Sequence, residues 1–176
     1  MPPAHECDVL FVGAGISGTY AAATAANAGL DVCVFERKSA AEAGHIACGD
    51  AIKSVDAFPD AIPRSKVEPA ITNPGLDHGR LEIPQTGSAV DIRVPGELAV
   101  VDRWKYGQLL IEAAEEAGAE FEFETVVTDV LQTDGVLRGI ETNANGTVET
   151  VEADIVIDGG GALSLLQDKA DFRNST

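Results

Sequence analysis

Gly13-Ala14-Gly15-Ile16-Ser17-Gly18 is a G-x-G-x-x-G run, and its residue types suit the holding of phosphate without side-chain charge. Gly13 permits a tight turn, Gly15 leaves room for a pyrophosphate to approach the backbone, and Gly18 lets helix and strand pack closely. A helix that opens here offers free N–H groups and a partial positive charge to an anion. Glu36 follows 18 residues after Gly18. A carboxylate at that point can accept hydrogen bonds from ribose hydroxyls and would repel a 2′-phosphate. The bland alternative is a glycine turn beside an exposed glutamate. Dinucleotide binding is the reading that the surrounding elements favour, although the motif itself serves FAD and NAD alike.

Those elements are legible. Asp8–Val12 is a short apolar run with the character of a buried parallel strand. Ile16–Ala28 is rich in Ala, lacks Pro and stops at Gly29, which predicts a helix able to lie close to a sheet. Asp31–Phe35 is a second apolar strand, so the motif sits inside a β-α-β unit. Ser39–Pro74 reads as loop with short helical pieces. Arg80–Val94 alternates around Gln85-Thr86-Gly87-Ser88, the pattern of a hairpin. Asp102–Ala117 predicts a helix capped by Asp102 and stopped by Gly118. Glu120–Glu124 alternates as a strand with one wet face. Val126–Leu131, Leu137–Thr142 and Val148–Val151 form an expected antiparallel meander, and Asp154–Asp158 an expected buried parallel strand running into Gly159-Gly160-Gly161. The fold class is therefore α/β, a Rossmann-like domain with a parallel sheet and a β-meander crossover.

Composition narrows the function. The chain has 176 residues and is 45% hydrophobic but only 5% aromatic, so Val, Ile, Leu and Ala must fill the core. Asp and Glu number 29 against 12 Lys and Arg, a net charge of −17. A surface this negative repels phosphate backbones and anionic lipid, which disfavours nucleic acid as a partner. Acid excess with few lysines also suits life in high salt, where self-repulsion is screened; an ordinary acidic cytosolic protein is the other reading. Cys7, Cys33 and Cys48 are too few and too scattered for a disulfide scaffold, and no CxxC pair or His/Cys cluster suggests a metal. Nothing resembles a signal peptide or an apolar stretch long enough to cross a bilayer, so a cytoplasmic protein, at most peripheral at the membrane, is expected.

Three further segments carry a resemblance. Glu36-Arg37-Lys38 looks like an acidic ribose-binding strand end. Gly44-His45-Ile46-Ala47-Cys48-Gly49-Asp50-Ala51-Ile52 is similar to a Cys-Gly loop beside a flavin, and Val101-Asp102-Arg103-Trp104 to an Asp-Arg element. With the first motif and the final glycine turn, these make the chain resemble the geranylgeranyl reductase family of flavoproteins, in particular the archaeal members that act on digeranylgeranylglycerophospholipids. The resemblance runs from about Asp8 to Phe172. It implies FAD as cofactor. It also implies that Gly13, Gly15, Ser17 and Gly18 form the pyrophosphate turn and that Glu36, with Arg37, lies at the adenosine ribose. Cys48, Gly49 and Ala51 would wrap the cofactor, Arg103 would contact it, and the backbone of Val127 would lie on the adenine side. The family reduces isoprenoid double bonds of membrane lipids by hydride transfer from reduced FAD, with a nicotinamide cofactor or a ferredoxin-like protein as electron donor.

The departures bear on activity. Family members run to roughly twice this length, a scale at which a second module is expected. Residues 1–176 therefore read as an FAD-binding domain, the N-terminal portion of a reductase without its substrate domain. Cys48 is the candidate for direct chemistry, with positioning as the competing role, since alkene reduction does not require a thiol. Cys33 lies in an apolar strand and is expected in the core, while Cys7 carries no evident role. His45 can serve as a proton donor or as an ordinary loop residue. Two alternatives stay open: an NAD-binding dehydrogenase domain, and an inactive truncated fragment that binds FAD.

Overall fold

A computed structural model describes residues 5–45, 50–53, 60–163 and 165–170. The β-α-β unit is present: β1 (His5–Val12), α1 (Ile16–Asn27) and β2 (Val32–Phe35). The two strands pair in parallel, Val9 with Val32 through Val12 with Phe35. Every side chain of β2 is buried, as the continuous apolar run requires. The alanines of α1 do what their size predicts: Ala22 and Ala23 are wholly buried against the sheet.

Next come β3 (Ala51–Lys53), α2 (Arg64–Val67), β4 (Ile71–Ile83), β5 (Ser88–Val101) and α3 (Arg103–Glu116). The expected loop from Ser39 to Pro74 thus contains two strand segments, and the hairpin is much longer than Arg80–Val94. Its extra length was hidden by Pro74 and Gly75, which sit where the β4–β5 register shifts. The N-cap of α3 is as expected: the Asp102 carboxylate accepts the Lys105 N–H at 3.0 Å. The remaining elements are β6 (Glu120–Glu122), β7 (Thr125–Thr133), β8 (Val136–Ala144), β9 (Thr147–Asp158) and α4 (Leu165–Lys169).

Among the described residues, six strands form one mixed sheet in the order β6-β2-β1-β9-β8-β7, and β3-β5-β4 form a second, antiparallel sheet. Strands β6, β2, β1 and β9 run parallel, while β8 and β7 add antiparallel pairs. The α/β Rossmann-like class is as expected, with one change. The third meander strand and the return strand are a single 12-residue strand, β9, which leaves β8 and then runs beside β1. The meander is therefore an extension of the main sheet.

The two edge strands β6 and β7 are joined by only Phe123 and Glu124, the latter at φ +54°. Two residues reach a few ångströms, so the sheet must curl until its ends nearly meet. The Thr125 N–H accordingly donates to the Glu36 carbonyl at 3.0 Å. The curl encloses one core cluster, Cys7, Leu10, Cys33, Phe35, Ile140, Val151, Ala153 and Leu166. The other cluster lies between the sheet and α1 and α3, with Phe11, Val34, Tyr106 and Leu110 at its centre. Cys33 is core as expected. Cys7 is core too, facing Cys33, and the Cys7 hydrogen bond with burial pushes the Cys33 thiol far above the usual thiol range.

One burial expectation is corrected. Asp154–Asp158 pairs in parallel with β1 but is not buried on both faces: Ile155 is 53% exposed and Ile157 37%. Helix α1 packs mainly on β1 and β2, and this face of β9 is left largely uncovered. No helix among the described residues is long and apolar enough to cross a membrane.

Candidate functional site

The site is built where β1 ends and α1 begins. Gly13 has φ +95°, a conformation that favours glycine, and its N–H donates to the Phe35 carbonyl at 2.8 Å. The strand thus stays tied to β2 until the turn itself. A Cβ on Gly18 would lie 2.3 Å from the Gly13 carbonyl oxygen, so the turn closes onto the helix only because residue 18 has no side chain. A Cβ on Gly15 would meet only the Gly159 oxygen, at 3.9 Å. Gly15 therefore leaves the open approach that the motif predicts. It is also the N-cap of α1: no side chain caps the helix and no acidic residue stands in its first turn. An anion placed there meets helix N–H groups and the positive end of the helix dipole.

Glu36 is 8% exposed and does something the spacing could not reveal. Its Oε2 accepts the Ala14 N–H and its Oε1 accepts the Lys38 N–H, both at 2.8 Å. The carboxylate thus braces the glycine turn from the neighbouring strand. Each oxygen keeps a further lone pair, so a ribose hydroxyl can still donate to it. A second brace comes from β9. The Gly159 N–H donates to the Val12 carbonyl at 2.8 Å, and a Cβ on Gly13 would lie 2.8 Å from the Gly159 oxygen. The Gly159-Gly160-Gly161 run, longer than a simple turn needs, was the sequence signal for this backbone-to-backbone contact.

The other expected site residues fall into separate groups. Ser17 is exposed on the first turn of α1, and Arg37 is exposed just past Glu36. Ala51 opens β3, exposed, and Asp50 before it has φ +56°. Cys48 and Gly49 lie outside the described residues, as do Ile46 and Ala47. Val127 on β7 pairs with Thr142, two residues past the Thr125 that bonds to Glu36, and its side chain packs against the curled-sheet core. His45 is exposed, and its carbonyl accepts the Lys38 ammonium at 2.8 Å.

Arg103 is buried, with Nε 3.8 Å from Asp50 Oδ1. This places the start of α3 against the end of the Cys-Gly segment. The beginning of that segment is also held by α3. The Gln108 amide donates to the carbonyls of Ala40 (2.9 Å) and Ala43 (2.8 Å), and the Trp104 indole N–H to that of Ala41 (2.9 Å). Gly44 and Gly107 touch backbone to backbone; a Cβ on Gly107 would lie 2.4 Å from the Gly44 oxygen. A lone glycine inside a strong helix pattern was the available clue.

Among the described residues no group of His, Cys, Asp and Glu is placed to hold a metal ion. A cavity of about 300 Å³ at the opposite end of β1 is lined by Glu6, Asp8, Asp31, Glu152 and Asp154 with Arg138. Carboxylates of that number repel phosphate, whereas the glycine turn offers backbone donors.

Comparison with known proteins gives the chain a family. The model of one family, described as FAD binding domain, matches residues 6–176. Digeranylgeranylglycerophospholipid reductase 2 of Methanopyrus kandleri is 33% identical over 172 residues, covering 90% of this chain and 38% of the relative. Protein FixC of Salmonella typhi is 33% identical over 171 residues, covering 92% of this chain and 38% of the relative. The crystal structure of a geranylgeranyl bacteriochlorophyll reductase-like protein from Thermoplasma acidophilum superposes with a TM-score of 0.69 at 24% identity. That alignment covers 88% of this chain and 39% of the other, and it shows the shared fold. The chain thus spans about two fifths of the length of these relatives.

Proposed function

The chain belongs to the FAD binding domain family, its cofactor is FAD, and from that premise we propose that it is the cofactor-holding portion of a reductase of isoprenoid double bonds. The observation that carries the cofactor half is the braced glycine turn, with an uncapped helix start and an open Gly15. The substrate half rests on likeness to relatives named for digeranylgeranylglycerophospholipids, 33% and 35% identical over 90% of this chain. An NAD-binding dehydrogenase does not fit the family match.

In this reading Gly13, Gly15, Ser17 and Gly18 hold the pyrophosphate by backbone N–H groups. Glu36 accepts from the adenosine ribose while bracing Ala14, and Arg37 lies beside that ribose. Arg103 contacts the cofactor from the start of α3. Cys48, Gly49 and Ala51 wrap it, and the Val127 backbone bounds the adenine side. When bound, reduced FAD would supply the hydride for the alkene, and an acid or water would supply the proton. The chain's own residues bind, orient and exclude water. Cys48 serves in positioning, with direct chemistry as the competing role. Electrons come from a nicotinamide cofactor or a ferredoxin-like protein, and the lipid substrate brings the protein to a membrane surface without spanning it. The excess of acidic residues is in keeping with a salt-rich cytoplasm.

The test has two stages. The purified chain should bind FAD stoichiometrically, and Gly15→Val should abolish binding with folding intact, because the side chain enters the open approach. Normal flavin retention by that variant would sink the phosphate-turn assignment. The flavin-loaded chain is then incubated with a reductant and a digeranylgeranylglycerophospholipid, and the lipid is weighed by mass spectrometry. A gain of hydrogen supports reductase activity in this chain. Bound flavin with unchanged lipid assigns it the holding role alone.

A further inference from the structure

Arg103 carries a charge that the fold has nearly withdrawn from water, being 7% exposed. A buried guanidinium needs partners around it. One is the Asp50 carboxylate at 3.8 Å; another is an aromatic face, for the guanidinium carbon lies 5.9 Å from the centroid of the Tyr106 ring. Tyr106 sits one helical turn further along α3 and is wholly buried. Its hydroxyl is 3.2 Å from the Tyr20 hydroxyl, also buried. Tyr20 stands on α1, two residues past Gly18 of the phosphate turn.

These side chains form one line from Arg103 to the helix that starts at the turn. Packing α1 against α3 needs only the rings, and phenylalanine would fill the same volume. The paired hydroxyls add a fixed point, since they anchor the far end of the Tyr106 ring and hence where the ring stands beside the guanidinium. Burial pushes both hydroxyls above the usual tyrosine range, so both stay neutral, one donating and the other accepting.

We propose that Tyr106 and Tyr20 are positioning residues for Arg103: the Tyr106 ring supports the guanidinium, and the Tyr20 hydroxyl locks that ring, so that α1 sets the aim of Arg103 relative to the glycine turn. The proposal rests on the reading of Arg103 as a cofactor contact. Neither tyrosine touches the cofactor in this scheme. They act through the arginine, and they tie its orientation to the helix that holds the pyrophosphate.

The experiment is a set of FAD titrations of the apo chain, followed by flavin fluorescence, with urea unfolding of each apo variant alongside. Tyr106→Leu removes the ring and should raise the FAD Kd about tenfold, the range of a desolvated cation–π contact. Tyr106→Phe and Tyr20→Phe keep the packing, lose the hydroxyl pair, and should each raise it about two- to threefold. In an Arg103→Ala background all three changes should leave Kd where Arg103→Ala alone puts it. Equal effects with and without Arg103 would overturn the proposal, as would lower apo stability with an unchanged Kd. If Tyr106→Leu fails to fold, the two phenylalanine variants carry the same comparison. A separate result, Arg103→Ala binding FAD as tightly as the unaltered chain, would refute the cofactor contact itself.

Discussion

Two of the glycine turns that end strands in this protein are held in different ways. At the tip of the β4–β5 arm, Gly87 has φ +68° and nothing within 4 Å of where its Cβ would be. The arm around it is built from local rules. Leu81 pairs with Val90 on one face, and on the other Arg80 donates to Glu82 at 2.7 Å and to Asp91 at 3.2 Å. Its apolar face is open, with Leu81 59% and Val90 57% exposed. At the end of β1, by contrast, Gly13 and Gly18 are pressed against backbone, and Glu36 and Gly159 brace the turn from two neighbouring strands. The first turn needs glycine for its conformation alone. The second needs glycine for space as well, and it is the one suited to a phosphate. The difference teaches that the turn between β1 and α1, proposed to bind phosphate, is specified by long-range contacts, which leave few tolerated changes.

Substitutions should therefore separate the two turns. The largest effect is expected at Gly18→Ala. Alanine favours a helix by about 1 kcal/mol over glycine, but its Cβ would sit 2.3 Å from the Gly13 oxygen. Overpacking of about 3 kcal/mol or more wins, so urea unfolding should show a net loss of about 2 kcal/mol and FAD binding should disappear. A variant as stable as the parent would break the comparison at its root.

Glu36→Gln comes next. The amide can accept one of the two N–H groups now shared by the carboxylate, and its NH₂ opposes the other. A buried donor left without an acceptor costs about 1–3 kcal/mol. Unfolding should register that loss, and FAD affinity should fall with it. If stability holds while affinity drops, the carboxylate serves ribose alone and the bracing role is wrong.

Gly87→Asn marks the small end. Asparagine tolerates the left-handed region, so a cost of at most about 1 kcal/mol is expected, with FAD binding unchanged. A larger loss in thermal unfolding would mean that the arm tip is packed in solution, which would erase the contrast between the turns.

Much of this was legible in the chain itself. The β-α-β unit, the Asp102 cap and the meander turns follow from periodicity and turn residues a few positions apart. The glycine turn was legible for the same reason, since its six residues are contiguous between a strand and a helix. The Cys48-Gly49 loop falls outside the described residues, so its part in the site stays a proposal. Three things were not legible: the length of the β4–β5 arm, the continuity of β9, and the exposure of Ile155 and Ile157. Pro74 and Gly75 read as a loop because local propensity marks them so; the pairing of β4 with β5 overrides it through register shifts. The apolar run Asp154–Asp158 reads as buried because hydrophobicity reports what a strand tolerates, whereas cover depends on where α1 comes to lie.

The sequence by itself determined that a strand, a glycine turn and a helix would follow one another, that a carboxylate would stand at the end of the second strand, and that the charge would disfavour nucleic acid. Only the tertiary structure decided that Glu36 reaches Ala14 across 22 residues, that Gly159 backs Gly13, that Gly44 meets Gly107, and that Tyr20 meets Tyr106. The reason is range. Turn conformation and helix capping act over a few bonds and are written in neighbouring residues. Contacts between backbones far apart in sequence exist only once the six-stranded sheet has curled and set α1 against α3.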